Sequence, residues 1–249
     1  MSLSPIPRKS LSDDVFTQLS QEIMDGRLGA GQPLPSEREL SQMLHVNRGA
    51  VREAVKRLMQ AGLVATQHGA GTQVLDFRRS AGLDLLPQLL LRGQNELDLD
   101  LVRSVMEMRS AMAIDVARLC ARRATADTIA QLRSLVASMR SSAGDMPALQ
   151  ATALDLWDAL VEGSGNVAYR MAFNSMRHMY DPVREAMAEV LAEELMDFDR
   201  CDALIDAIAR RNQSLAQDIA KALVGQGLNA VVTAIDQLQD QITEPLSRQ

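Results

Sequence analysis

Only two cysteines occur in 249 residues, at positions 120 and 201. Two thiols cannot build a disulfide framework, so both read as core residues of a protein kept in a reducing compartment. Histidine is nearly as scarce: His45, His68 and His178 are the full set. With His178 alone beyond residue 77, a three-histidine metal site cannot be assembled in the larger part of the chain, and no cofactor or metal is expected there. A serine or cysteine nucleophile would lack a neighbouring base, and no GxxxxGK phosphate loop is present, which leaves the enzyme reading without a centre. No uninterrupted apolar run approaches the roughly 18 residues that cross a membrane, and the opening MSLSPIPRKS lacks the apolar stretch of a secretory signal. The expectation is a cytoplasmic protein with no membrane partner. A general excess of positive charge is also missing, since the net charge is −6. Residues 1–77 hold eight Lys/Arg against eight Asp/Glu, leaving 18 against 24 for the rest. Any affinity for nucleic acid must therefore come from a local basic face and be salt-sensitive.

What is present is an apolar content of 47%, enough to bury a sizeable core in one small domain and one of ordinary size. Residues 34–74 carry the clearest pattern. Ser36-Glu37-Arg38-Glu39 after Pro35 is a capping-box start, with Leu40, Met43 and Leu44 on the buried side, so Pro35 to Leu44 reads as a compact support helix. Asn47 is a good N-cap for a second helix running to Gln60. Wound at about 100° per residue, that helix gathers Val51, Ala54, Val55 and Leu58 in one sector and sets Arg48, Arg52 and Lys56 roughly 130° away. One face packs; the other is left for phosphate or base edges. Gly49 and Ala50 in its first turn permit close approach to a groove floor, and the helix dipole favours phosphate there. An earlier helix over Ser12 to Asp25 places Phe16, Leu19, Ile23 and Met24 at helical spacing, with Gly26 as a stop. Leu63–Thr66 and Thr72–Val74 are β-prone runs joined by Gln67-His68-Gly69-Ala70-Gly71, as a hairpin wing would be.

Arg48, Arg52, Lys56 and Arg57 could by themselves be a solvated charged face. The ordered set points further. The stretch LPSERELSQMLHVNRGAVREAVKRLMQAGLV followed by QHGAGTQV resembles the N-terminal domain of GntR-family transcription regulators over about the first 75 residues. The resemblance implies that Arg38, Arg48 and Arg52 contact operator DNA, that Asn47, Gly49 and Ala50 sit at the groove beside Lys56, and that His68 with Gly69 forms a wing tip in the minor groove. Gly49 and Ala50 replace hydroxyl residues that some members carry.

From Asp76 the pattern changes. Asp76 to Ser80 is short and charged and reads as a linker; beyond it nearly everything follows helical period. Candidate helices are Gly82–Arg92 with a break near Pro87, Leu99–Arg123, Ala126–Ser141, Met146–Glu162, Val167–Glu194 with a break near Pro182, Phe198–Arg211 and Ser214–Ile242, with stops at Gly93, Gly144, Gly163, Gly165 and Asn212. The expected fold is thus mostly α: residues 1–75 a winged helix-turn-helix with a small β-hairpin wing, 76–80 a linker, and 81–249 an all-α antiparallel helical bundle.

LVRSVMEMRSAMAIDVARLCARRAT and the junction LVEGSGNVAY resemble the helical effector-binding domain of the FadR-like branch of the same family. Many members of that branch hold a metal through an aspartate, a histidine four residues on and two later histidines. Counted back from Ser164-Gly165-Asn166, those positions fall on Ala153, Trp157 and the neighbourhoods of Cys201 and Leu223, so no metal is expected. The FadR subgroup also carries an aromatic at the position of Trp157 and answers to long-chain acyl-CoA. Arg109, Trp157, Tyr169, Asn174, Arg177 and Tyr180 are the candidate effector contacts, Arg109 standing where this branch has a pocket-lining arginine, and an organic acid or fatty acyl compound is the expected class of effector. Leu85, Leu86, Leu89 and Leu90 could line an apolar pocket, although Leu and Met at helical spacing are ordinarily core. Asp155 with Asp158, and Glu193 with Glu194, read as solvated helix carboxylates. The functional expectation is a homodimeric repressor that reads a palindromic operator in double-stranded DNA and responds to a small molecule bound in the helical domain. The alternative is a helical small-molecule or acyl-binding module whose winged domain no longer functions on DNA.

Overall fold

A computed structural model describes residues 10–67, 71–92 and 96–243, and its contacts divide the chain into two units, 1–96 and 97–249. In the first, helix α1 (Leu11–Met24) turns Val15, Phe16, Leu19 and Ile23 inward and ends at Gly26, whose φ of +76° suits a residue without Cβ. Helix α2 (Glu37–Met43) opens on a complete capping box: Ser36 N donates to Glu39 Oε2 at 2.8 Å, and Glu39 N donates to Ser36 Oγ at 3.3 Å. Leu40 is buried and Leu44 packs against the core, but Met43, expected on the same buried side, ends the helix exposed. Helix α3 (Arg48–Gln60) is capped by Asn47 Oδ1, which accepts from Ala50 N at 2.9 Å. The wing pairs β1 (Val64–Gln67) with β2 (Gly71–Val74) antiparallel, Val64 opposite Val74. His68 and Gly69 at its tip lie outside the described residues.

Residues 31–34, which contain Gly31 and Pro33, carry no strand pattern of their own. They nevertheless run along β2, with Gly31 N and Leu34 N donating to the carbonyls of Val74 and Thr72, both at 2.8 Å. Val74 N in turn donates to Gln32 O at 2.9 Å, so the wing is braced from outside. The charged stretch read as a linker is likewise folded onto this unit. Helix α4 (Phe77–Ser80) follows Leu75, whose N–H reaches Leu63 O at 2.8 Å, and Ser80 Oγ donates to Gly62 O at 2.6 Å. A Cβ at Gly62 would stand 2.5 Å from Ser80 O, so this close approach requires glycine. A 3-10 turn (Leu83–Leu85) and helix α5 (Leu86–Leu89) come next, and Leu85 enters the same core as Leu19, Val55 and Leu58, with Phe77, Ala81 and Leu89 packed against it. Leu85 is thus a core residue of the first unit and Leu89 packs against that core, the ordinary reading of leucine at helical spacing and not the pocket-lining one. A two-residue pairing of β3 (Leu91–Arg92) with β4 (Glu96–Leu97) interrupts what periodicity had suggested would be helix throughout.

The described part of the second unit beyond β4 is helical. Its axis is α6 (Leu99–Arg123), antiparallel to α13 (Gln213–Thr243): Arg103 pairs with Asp236 at 2.6 Å near one end, and Arg211, just before α13, donates to Ala121 O at 3.4 Å near the other. Helices α7 (Ala126–Ser141), α8 (Met146–Ser164) and α12 (Phe198–Ala209) complete a core around Val116, Cys120, Leu132, Leu149, Leu160, Leu204 and Ile208. Helix α8 ends where Gly165 takes φ +57°, and Asn166 Oδ1 then accepts from Ala168 N to start α9 (Val167–Tyr180), so the Ser-Gly-Asn junction is a C-cap followed by an N-cap. Beyond the 3-10 turn Asp181–Val183 lie two short helices, α10 (Arg184–Val190) and α11 (Ala192–Leu195). Gly163, expected as a stop, lies inside α8. A Cβ there would be 2.8 Å from Cys120 Sγ and 2.9 Å from Thr128 Cγ2, so its small size serves helix packing.

Candidate nucleic-acid interface and effector-domain centre

The two faces of α3 separate as its periodicity requires. Val51, Ala54 and Leu58 are fully buried, while Arg48, Gly49, Arg52 and Lys56 face solvent. The guanidinium of Arg48 is exposed and meets no carboxylate among the described residues. Arg52, 61% exposed, uses Nε to reach Glu37 Oε2 at 3.2 Å, and its two terminal nitrogens make no hydrogen bond to the described residues. Lys56 is held beside Glu53 at 2.9 Å, and Arg38 on α2 is exposed. Arg57 belongs elsewhere: it pairs with Asp13 and lies 4.3 Å over the Phe16 ring, tying α3 to α1. Asn47 and Ala50 are joined by the cap, and a Cβ on Gly49 would sit 3.1 Å from the capping Oδ1, so glycine leaves the helix start open. The hydrogen bond from Ser36, with the backbone at Ser36 and nearby Arg38, holds the Glu39 carboxyl below the usual range. The turn between the helices places His45 at φ +52°, an uncommon conformation for a residue with a side chain.

In the second unit, Arg109, Trp157 and Tyr180 come together. Both terminal nitrogens of Arg109 reach the carboxylate of Glu194, Nη1 to Oε2 at 3.2 Å and Nη2 to Oε1 at short range. Its guanidinium carbon lies 5.9 Å from the Trp157 ring centre. Burial alone would lower the pKa of Arg109, but the charge and hydrogen bonds of Glu194 outweigh it and hold it above its ordinary value. The Tyr180 hydroxyl accepts from Gln150 Nε2 at 2.8 Å, and Gln150 also donates to Arg184 O at 2.9 Å. Burial raises the Tyr180 pKa, so the phenol keeps its proton to donate.

The other candidate contacts are not part of this cluster. Tyr169 donates to Asp115 at 3.0 Å, Arg177 faces Asp155 and Asp158 at 3.9 and 3.7 Å, and Asn174 is exposed. Glu194, read from sequence as solvated, is 5% exposed and was missed because its partner lies 85 residues earlier. The positions counted for a metal hold Ala153, Trp157, Cys201 and Leu223; desolvation raises the Cys201 thiol to about 12, keeping it protonated, so this set does not fit a divalent ion. Among the described residues no group of three or more His, Cys, Asp or Glu is placed to hold one, and no helix is long and apolar enough to cross a membrane.

Residues 11–74 match the family described as bacterial regulatory proteins, gntR family, and residues 104–226 match the FCD domain. The chain is 37% identical over 238 residues to the HTH-type transcriptional regulator Mce2R of Mycobacterium tuberculosis, covering 94% of this chain and 98% of that one. It is 28% identical over 163 residues to the fatty acid metabolism regulator protein of Yersinia pestis, 66% of each chain. Among solved structures, the regulator Lar of Listeria monocytogenes aligns with a TM-score of 0.57 at 16% identity, over 92% of this chain and 99% of that one, a likeness of fold.

Proposed function

The chain belongs to the GntR family of bacterial regulatory proteins, and we propose that it acts as a homodimeric repressor whose α3 helices read two half-sites of a palindromic operator about one helical turn apart. Its DNA-binding first domain and FCD effector-binding second domain make it a transcription regulator. The observation that carries the residue assignment is the outward face of α3, where Arg48 and Arg52 are exposed above an apolar stripe that is fully buried. In this reading Arg48 and Arg52 reach base edges, Arg38 and Lys56 contact phosphate, and the open start of α3 at Asn47, Gly49 and Ala50 enters the major groove. The effector lies in the FCD domain near Arg109, Trp157 and Tyr180 and is an organic acid or fatty acyl compound. Kinship with fatty acid metabolism regulators and the guanidinium beside an indole ring support that class. Effector occupancy changes operator affinity by a coupling free energy.

A salt titration of binding to duplex DNA tests the reading. A regulator gives a steep negative slope of log affinity against log salt, about −0.9 for each phosphate neutralised. A slope near zero would instead favour a helical ligand-binding module that makes no use of DNA.

A further inference from the structure

The pair Arg109–Glu194 joins two ions that are both withdrawn from water. The Glu194 side chain is 5% exposed and that of Arg109 24%. Attraction within such a pair is largely offset by the desolvation of both ions, so it adds little to net stability, yet removing either partner strands a buried charge. Arg109 therefore demands an acid at this place without specifying which acid.

Three further features bear on the acid. A Cβ at Gly227 of α13 would overlap Glu194 Oε2 and stand 2.9 Å from Leu191 Cδ2, so the Glu194 carboxylate rests in a seat formed by a missing side chain. Glu194 is carried on a helix of four residues bounded by Leu191 and Met196, whose ψ values of 5° and 0° break the helix on either side. Finally, Arg109 has a proton donor and an apolar surface nearby: Tyr180 has its own proton to give, and the Trp157 ring lies 5.9 Å away.

We propose that the Arg109 guanidinium is a carboxylate-binding site whose resident occupant is Glu194, and that an effector with a carboxylate head and an apolar body acts by taking the place of Glu194. This rests on the reading of the second domain as effector-binding. The exchange leaves Arg109 paired before and after. It returns the Glu194 carboxylate to water and lays the apolar part of the ligand against Trp157. The segment α10–α11, held by Arg109 on one side and seated over Gly227 on the other, is the two-state element whose balance the ligand shifts. An uncharged ligand of the same length has nothing to offer Arg109 and leaves Glu194 in its seat.

Trp157 is the chain's single tryptophan, so intrinsic fluorescence reads this site directly. Full-length protein is titrated with sodium octanoate and with octan-1-ol. Wild type should respond saturably to octanoate and at least about tenfold more weakly to the alcohol. Glu194→Ala removes the resident acid, and Gly227→Ala evicts it while favouring helix α13. Each should tighten octanoate about tenfold or more and create a response to acetate, read as a rise in melting temperature beyond that given by sodium chloride at equal ionic strength. The charge-free double variant Arg109→Met/Glu194→Ala should lose both responses. Acetate and chloride acting alike on both single variants, or octanoate and octanol acting alike on wild type, overturns the proposal. A Gly227→Ala protein that does not fold shows a seat that cannot be vacated and overturns it equally. Salt-dependent DNA binding is measured on the same preparations: its loss with the acetate response intact sinks the regulator reading alone, and the converse sinks the exchange alone.

Discussion

Glu37 Oε2 accepts a hydrogen bond from Arg52 Nε at 3.2 Å, joining the first turn of α2 to the outward face of α3. Both side chains are substantially exposed, 39% and 61%, so the contact contributes little to stability. Its effect is geometric. Fixing Nε leaves the terminal nitrogens as a paired donor set without a protein partner among the described residues, and such a pair can meet two acceptors on one guanine edge. A carboxylate beside that edge also repels phosphates that approach out of register.

Arg52→Ala should accordingly weaken specific operator binding by about 1–3 kcal/mol, while Glu37→Ala should act mainly on discrimination. Fluorescence anisotropy with operator and scrambled duplexes separates the two. The expected result for Glu37→Ala is tighter binding to scrambled DNA and a smaller ratio between the two affinities. An unchanged ratio would show that the Glu37 contact does not position Arg52.

Arg38 and Lys56 lie on the same surface, Lys56 beside Glu53 of its own helix, and among the described residues neither is tied to the neighbouring helix as Arg52 is to Glu37. Arg38→Ala and Lys56→Ala should each weaken all duplexes alike and make the log-log salt slope shallower by about 0.9, the loss of one phosphate contact. A variant that changes base preference instead would move that residue from phosphate to base contact.

Acid sensitivity of the DNA-binding domain follows from its capping box. The Glu39 carboxyl is held low chiefly by the hydrogen bond from Ser36. A folded-state pKa below the unfolded value of about 4.3 gives stability that is present above that value and disappears as pH falls through the lowered folded one. Ser36→Ala should cost about 1 kcal/mol at neutral pH, and Glu39→Gln should flatten the fall in melting temperature between pH 5 and pH 3. Parallel acid profiles for wild type and Glu39→Gln would remove the capping box as the cause.

Local chemistry made some of this structure legible in sequence. Asp98 and the pair Arg122–Arg123 bracket α6, so its ends at Leu99 and Arg123 agree with the expected range. The stripe Val51, Ala54, Val55, Leu58 has a period that only helix burial satisfies, and it is the buried face. The misread positions depend on distant partners. Gly163 carries the same letter as a helix stop, and only Cys120 and Thr128 pressing on it show why α8 continues past it. Leu85 and Leu89 have the apolar spacing of either a pocket wall or a core, and only their contact with the core of Phe16, Leu19 and Leu58 settles which. Glu194 looked like any surface carboxylate because neither Arg109 nor Gly227 is near it in sequence. Helical period places residues on a face, and long-range packing decides what that face meets.

The contact at Gly163 can be tested against helix propensity, because the two effects have opposite signs. In an unconstrained helix interior, Gly→Ala stabilises by about 1 kcal/mol. At Gly163 the new methyl would meet Cys120 Sγ at 2.8 Å and Thr128 Cγ2 at 2.9 Å, and overpacking of this kind costs about 1–3 kcal/mol. Gly163→Ala should therefore be neutral to destabilising in urea melts instead of stabilising. Cys120 is fully buried, with its thiol raised to about 12 mainly by burial, so replacing it by alanine removes packing volume and no ionised group. In the Cys120→Ala background the same methyl gains room, and the double variant should be more stable than the sum of the single effects by about 1 kcal/mol. Strict additivity, or stabilisation by Gly163→Ala alone, would mean that α8 does not approach α6 as closely as this contact requires.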